Sequence, residues 1–445
     1  MTDKLTSTTR RGFLALAGTA ALAGCSGLNP LSEDEETRID ATALQEAISG
    51  DAPAVTSPEP VNIEQSYIDR SVTEARERLS TVPAPFDAEE IPNGMIRADL
   101  TDEYEEAKAD IEDVTNAGST YEAFQQLRGA HESVRTVSAG WHAIDGDVTY
   151  GDIQAEIPTV RDDMDGFRGR WRYVGDDPIR AVLAHAAIED RVSYTGRQLQ
   201  NDRVETRSDS KDPILLGGFA GEITAARVSL QCGEYLYDRF TASLDETRSV
   251  GAGLRAAGET LSSRLDKRRK ALPESDRDPS SYVDADVEDT PIGYALDDLQ
   301  RNVAFAHGID DERATGQRAN LVLSAFSTLI RIRAFERLRE RAENDDYVTV
   351  ESADDVRKLR NRAIDAVESA NESGEYPRLN RYSLPDVDHF DYVSRRLGRY
   401  TDEEEDGVSA RRINDIVEQY VLIEAIAHAT PETSAETAHV IQSNM

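Results

Sequence analysis

Apolar residues recur along this chain at steps of three and four, the period of a helix with one buried face. Ile68, Val72, Ala75 and Leu79 form one such stripe, and Leu100, Tyr104, Ile111 and Val114 form another. Tyr121, Phe124, Leu127, Val134, Val137 and Trp141 trace a third. The clearest runs through Ile153, Ile157, Val160, Met164, Phe167 and Trp171, a heptad seam that predicts one helix packed along another. A helix is predicted to start after Asp176-Asp177-Pro178, because proline fits the first helical turn and aspartate caps it. Longer helices are expected near 213–244, 250–272, 292–306, 313–341, 353–373 and 410–429, with a short one after Thr430-Pro431.

Strand patterns are scarce. Only Asp147-Val148-Thr149-Tyr150 and Tyr347-Val348-Thr349-Val350 alternate suitably, and both are short. The pattern therefore predicts an all-α protein of long antiparallel amphipathic helices, in one elongated bundle or two adjoining helical bundles. Residues 25–61 carry Pro30, Pro53, Pro58 and Pro60 among many acids, with one brief helical patch from Ala41 to Ile48. That composition predicts a tether. Helical domains are expected over 62–272 and 292–445, joined by an acidic, proline-containing linker at 273–291.

The N-terminal 24 residues follow a different grammar. Lys4, Arg10 and Arg11 precede an apolar run from Phe13 to Ala23, then Leu22-Ala23-Gly24-Cys25. Paired arginines before a short apolar stretch mark the twin-arginine export route. Small residues before the cysteine suit a signal peptidase, and the Cys25 thiol offers a site for lipid attachment. The apolar run is too short for a membrane span, which needs roughly 20 residues. Segment 1–24 is thus expected to be a signal peptide, with the mature chain held by lipid at Cys25 on the extracytoplasmic face of the cell membrane. The residues after Cys25 are acidic (Ser32-Glu33-Asp34-Glu35-Glu36), so attachment should rest on a two-chain lipid rather than on charge.

Charge changes the picture of the solvent. The chain has 445 residues, 85 acidic and 50 basic, for a net charge of -35. Residues 1–24 hold Asp3 against Lys4, Arg10 and Arg11, a net of +2, so the mature chain carries -37. Lysine occurs only at positions 4, 108, 211, 267, 270 and 358. Such self-repulsion opposes compaction in dilute buffer, and molar salt screens it. Acid-rich, lysine-poor, alanine-rich composition with a twin-arginine lipobox resembles the exported lipoproteins of haloarchaea. The resemblance implies location and solvent, not activity. The same charge excludes nucleic acid as a partner: the short basic clusters, Lys267-Arg268-Arg269-Lys270 and Arg331 with Arg333 and Arg337, are surrounded by acids and read as helix-terminal charges or ion-pair partners.

Candidate chemistry is thin. With Cys25 lipidated, only Cys232 remains; no internal disulfide can form, and Cys232 reads as a buried small hydrophobe. The seven histidines include no pair spaced as in zinc proteases, and the single Glu436-Thr437-Ala438-His439 motif cannot alone build a di-iron site. His185 with Glu189, and Glu424 with His428, lie one helical turn apart and present two metal ligands each; a hydrogen-bonded pair is the commoner use. The acid clusters Asp284, Asp286, Glu288, Asp289 and Asp386, Asp388, Asp391 lack the EF-hand pattern and read as solvated loops. No nucleophile elbow and no phosphate-binding loop occurs. No catalytic residue, cofactor or metal is assigned. Asn371-Glu372-Ser373 is an N-glycosylation acceptor pattern.

Three functions stay open. A tethered helical body that binds a protein partner or supports the envelope fits the stripes and the lack of catalytic grouping. A solute-binding lipoprotein of a transport system fits the length and the anchor, though the usual receptors of that kind need buried strands. An exported enzyme of unrecognised fold would have to gather Trp141, Trp171, His142 and His185 in one cleft.

Overall fold

The structure is a computed structural model describing residues 37–200, 211–273, 281–304, 308–403 and 407–445. The chain is all-α. Among the described residues it holds sixteen helices and four two-residue strands. Arg10, Arg11, Cys25 and the rest of the signal segment lie outside them. No helix among the described residues is long and apolar enough to cross a membrane.

The first half is built by α2 (Gln65–Leu79), α3 (Gly94–Asn116), α4 (Thr120–Ile144), α5 (Tyr150–Gln154), α6 (Ile157–Arg170), α7 (Pro178–Leu199) and α8 (Pro213–Ala242). The predicted stripes are the buried faces: Ile68, Val72, Ala75 and Leu79 on α2, and Phe124, Leu127, Val134 and Val137 on α4. Helix α8 packs against both α4 and α7. Its approach to α4 needs glycine: a Cβ on Gly217 would sit 2.4 Å from the Thr136 carbonyl oxygen, and one on Gly221 2.2 Å from Thr136 Oγ1. Asp177 caps α7, accepting from the Arg180 N–H at 2.7 Å, and Pro178 occupies its first turn.

The second half comprises α9 (Gly251–Arg269), α10 (Pro291–Ala304), α11 (Gly308–Thr315), α12 (Arg318–Glu343), α13 (Ala353–Glu372), α14 (Pro377–Ser383), α15 (Val387–Glu403) and α16 (Ala410–Asn444). Helix α12 is its axis, lying against α9, α10, α16 and, across the two halves, α7.

Several expectations are corrected. The seam from Ile153 to Trp171 is two helices, not one, because Pro158 cannot donate to a preceding turn and instead begins α6. The stretch expected as one helix from 313 to 341 breaks at Gly316, whose φ of +76° ends α11. Conversely, α16 runs unbroken through Pro431. A mid-helix proline costs about 3 kcal/mol; the burial of Ile423, Ala427, Ala429, Thr430, Ala438 and Ile441 on both sides of it holds the helix together. Neither predicted strand forms. Thr149 and Asp152 make a capping box that turns 147–150 into the start of α5, while 347–350 pairs with no described strand and leads into the Ser352–Asp355 capping box of α13. The observed strands are β1 (Arg38–Ile39) with β4 (Val408–Ser409), and β2 (Val174–Gly175) with β3 (Arg248–Ser249), both antiparallel.

The described part of the expected tether is not free either. From Arg38 onward the chain belongs to the body: β1 pairs β4, and α1 (Ala41–Ile48) buries Leu44, Ala47 and Ile48 against α13 and α15. The Arg360 guanidinium holds the Asp51 carbonyl at 3.0 Å. The apolar residues among those acids were enough to dock it. The described end of the expected linker also packs, with Tyr282, Val283 and Val287 buried.

Candidate ligand-binding cleft

Helix α12 is apolar on most of its surface, with Leu321, Val322, Leu323, Ala325, Phe326, Ile330, Ile332, Ala334 and Phe335 buried. One stripe is different: Ser324, Ser327, Thr328 and Arg331 fall at helical spacing on a single face. That face borders a set of adjoining cavities. The largest, about 460 Å³, is walled by Ser327, Ile330 and Arg331 of α12, Tyr382 of α14, His389 of α15, and Leu422, Ile423 and Ile426 of α16. A second, about 300 Å³, shares Asn302, Ser327, Arg331 and Tyr382 with it and extends to Ser324 and Ile309. A third, about 210 Å³, is formed by Ser57, Tyr121, Gln125, Leu183, Ala186, Asp190 and again Tyr382. Tyr382 therefore stands at the junction of all three. The third brings in α4 and α7 of the first half, and clefts at such junctions are where small-molecule sites concentrate.

The electrostatics are uneven. Arg331 is half-buried, and burial pulls its guanidinium below its ordinary value. Among the described residues no hydrogen bond or ion pair holds it; the carboxylate that acts on it most, Asp298, is engaged by Arg301 at 3.4 Å and Asn302 at 2.8 Å. Its neighbours on α12 show the contrast. Arg333, two residues on and so about 200° around the helix, meets Thr433 at 2.7 Å, Glu436 at 3.0 Å and Glu432 at 3.5 Å. Arg337 donates to the His428 carbonyl at 3.2 Å. The ion-pair expectation for this cluster holds for Arg333 and fails for Arg331. Glu312 accepts from Ser324, at the edge of the second cavity; burial pushes its carboxyl up to about 7, and its Oε2 is buried without a partner. In the 460 Å³ cavity His389 Nδ1 and Asp386 Oδ1 are paired at 2.9 Å, and two arginines, Arg331 and Arg381, outnumber that one carboxylate in the lining. Tyr382, Val387 and Tyr392 of the α14–α15 segment, which supplies part of the cavity wall, are exposed.

The candidates drawn from sequence fall elsewhere. His185 Nδ1 accepts from Trp171 Nε1 at 3.2 Å, which puts the ring proton on Nε2, and Nε2 donates to the Val174 carbonyl at 2.8 Å. Both nitrogens are used, and burial lowers the ring's pKa to about 4, so His185 is a neutral structural residue. Glu189, 2% exposed, accepts from the backbone N–H of Ala319 at 3.0 Å and of Asn320 at 2.7 Å, and from the Tyr173 hydroxyl at 2.7 Å. Gln317, the N-cap of α12, makes no side-chain cap, so a carboxylate from α7 satisfies the free donors of α12 instead. The Glu189 reading as a metal ligand gives way to that of a cap supplied across the two halves. Glu424 ion-pairs with Arg341 at 3.1 Å, and Glu436 is taken by Arg333. Asp289 meets Arg411 at 3.2 Å and the Tyr294 hydroxyl at 2.9 Å. No group of three or more His, Cys, Asp or Glu side chains suited to a metal occurs among the described residues.

Trp171 and His185 do meet, but Trp141 stacks on Phe86 with ring centres 5.5 Å apart, so the four aromatic candidates do not share a cleft. Cys232 is buried beside the Tyr67 hydroxyl, and burial pushes its thiol up. Asn371 is half-exposed at the end of α13, and its Oδ1 accepts from Arg381 Nε at 3.1 Å. The acceptor pattern thus lies beside a residue that lines the 460 Å³ cavity.

Two family models match the chain. Residues 66–246 match one described as a domain of unknown function (DUF8262), and residues 251–439 match another described as a domain of unknown function (DUF8264). The two matches part at 247–250, which holds β3, rather than in the expected linker at 273–291. The cleft draws residues from both matched segments. Neither a search of curated proteins nor one of solved structures finds a match.

Proposed function

We propose that the chain is an exported, lipid-anchored binding protein that takes up a small solute in the cleft around Tyr382. The twin-arginine leader and the lipobox at Cys25 support the location. The convergence of three cavities on one tyrosine, the third of them lined by residues of both matched segments, carries the binding role. A cavity of about 460 Å³ lies in the range of small-molecule sites, and its walls set a strip of isoleucine and leucine against a larger polar face that carries Arg331, Arg381 and the Asp386–His389 pair. A helical body serves this role without the buried strands of two-lobed α/β receptors.

The test is thermal stabilisation of the purified protein, in the salt of its native medium, by a panel of sugars, peptides and organic acids. A ligand at about 100 times its dissociation constant stabilises the folded state by roughly 2.7 kcal/mol. Stabilisation that disappears in Ser327→Trp, which fills the two larger cavities, supports the reading. A panel without effect on the unmodified protein contradicts it.

A second reading, docking of an envelope protein partner, is favoured by the exposed Tyr382, Val387 and Tyr392 of the α14–α15 segment. Co-isolation of one protein at native salt, lost in Tyr392→Ser, separates it from solute binding.

A further inference from the structure

We infer that the solute is an organic carboxylate with an apolar body, and that the Arg331 guanidinium holds its acid group. This rests on the binding role proposed for the cleft and names the class of its ligand. In a chain with 85 acids against 50 bases, a carboxylate is the easiest partner for any arginine to find. Arg333 on the same helix has two glutamates and a threonine. Arg331 is half-buried and faces two cavities, yet no described residue forms an ion pair or hydrogen bond with it. A desolvated guanidinium without an anion is costly, and a ligand that brings one removes that cost. The planar fork of arginine matches the two oxygens of a carboxylate.

The cavity shape supplies the rest of the ligand. Ser327, Asn302 and Tyr382 surround the Arg331 end with hydroxyl and amide groups, whereas Ile330, Leu422, Ile423 and Ile426 make an apolar wall. A polyanion such as a nucleotide would need more cations than the two arginines of the wall, of which Arg381 already donates to Asn371, and would bring its charges against the Asp386 carboxylate. A single acid group on a hydrocarbon or aromatic body fits both ends.

The experiment compares isosteric pairs. Calorimetric titration of the full-length protein in molar potassium chloride uses octanoate against octanamide and benzoate against benzamide, with chloride as the background anion throughout. Charge-assisted recognition predicts that each acid binds about tenfold or more tightly than its amide. Arg331→Gln should abolish that preference, and Arg331→Lys, which keeps the charge but loses the fork, should retain only part of it. Because no described residue forms an ion pair with Arg331, both variants should fold, and their helicity and melting temperature verify this. Equal binding of acid and amide by the unmodified protein overturns the carboxylate inference and leaves the cleft reading standing. An acid preference that survives Arg331→Gln also overturns it, by placing the anion elsewhere. No binding by any of the four probes overturns the inference, and stabilisation by another member of the solute panel then shows whether the cleft reading survives it.

Discussion

Replacing Glu189 by glutamine tests whether the two halves are joined by a cap that crosses between them. The side chain comes from α7 and its acceptors face the first turn of α12, 130 residues away in sequence. Three donors converge on two oxygens: the N–H groups of Ala319 and Asn320 and the Tyr173 hydroxyl. Glutamine keeps the shape but replaces one oxygen by an NH2 group. In either orientation of the amide, a donor then faces a donor. Hydrogen bonds to a charged group contribute about 1.5–3 kcal/mol, and an orphaned buried donor costs about 1–3 kcal/mol. Burial pushes the Glu189 carboxyl up to about 7 against the pull of its hydrogen bonds, so removing the charge returns part of the loss. A net cost of roughly 2–3 kcal/mol follows.

The global melting temperature of so long a chain is a blunt readout, because about 1 kcal/mol moves it only a degree or two at this size. Amide hydrogen exchange of peptides spanning 316–323 reads the cap itself. The account predicts that their protection falls about thirtyfold or more in Glu189→Gln, since 1.4 kcal/mol is a factor of ten. The first turn of α13, capped by its own Ser352–Asp355 box, should not change. Unchanged protection at 316–323 would refute the reasoning and return Glu189 to the list of residues without a role.

The remaining expectations concern pH, packing and salt. Glu189, Glu312 and Glu418 are each raised by burial to about 7 from an ordinary 4.5, so the folded chain binds more protons than the unfolded one between those values. That contribution is present below 4.5 and is lost as pH rises through 7. His131 and His185, lowered by burial to about 4, act oppositely, but only below their ordinary 6.5. Melting temperature at native salt should therefore fall between pH 6.5 and about pH 8, and a rise across that window would contradict the assignment. Gly217→Ala places a methyl 2.4 Å from the Thr136 carbonyl oxygen, forcing α8 off α4; a loss of about 1–3 kcal/mol is expected in thermal melts, and wild-type stability would show that the helices can part freely. Circular dichroism should show helicity rising from dilute buffer to molar salt, given the charge of -35, whereas equal helicity in both would remove the case for a salt-dependent fold.

Much of the fold is legible where local rules and packing agree. Asp177-Pro178 starts α7, Asp212-Pro213 starts α8, and the stripe from Tyr121 to Val137 marks the buried face of α4. The misreadings come where tertiary contacts outvote a local signal. Pro431 reads as a helix end until the burial of α16 on either side is known, and the acids of residues 38–61 hide the few apolar side chains that dock them. Helices α14 and α15 drew no expectation at all, although Tyr382 and His389 on them complete the cleft. Arg331 was grouped with Arg333 and Arg337 by proximity in sequence, and helical geometry turns it away from both. A signal was present in the polar stripe of Ser324, Ser327, Thr328 and Arg331 across an otherwise apolar helix. The role of Glu189 had no local signal, because its donors belong to a helix far along the chain.

The most direct test of the central claim is mass spectrometry of the protein isolated from membranes at native salt, intact and after denaturation. The account predicts a mature chain that begins at a lipid-modified Cys25 and releases, on denaturation, a small organic acid that the Arg331→Gln protein does not retain. A chain that still carries residues 1–24, or one that releases nothing and differs in no way from the variant, would contradict it.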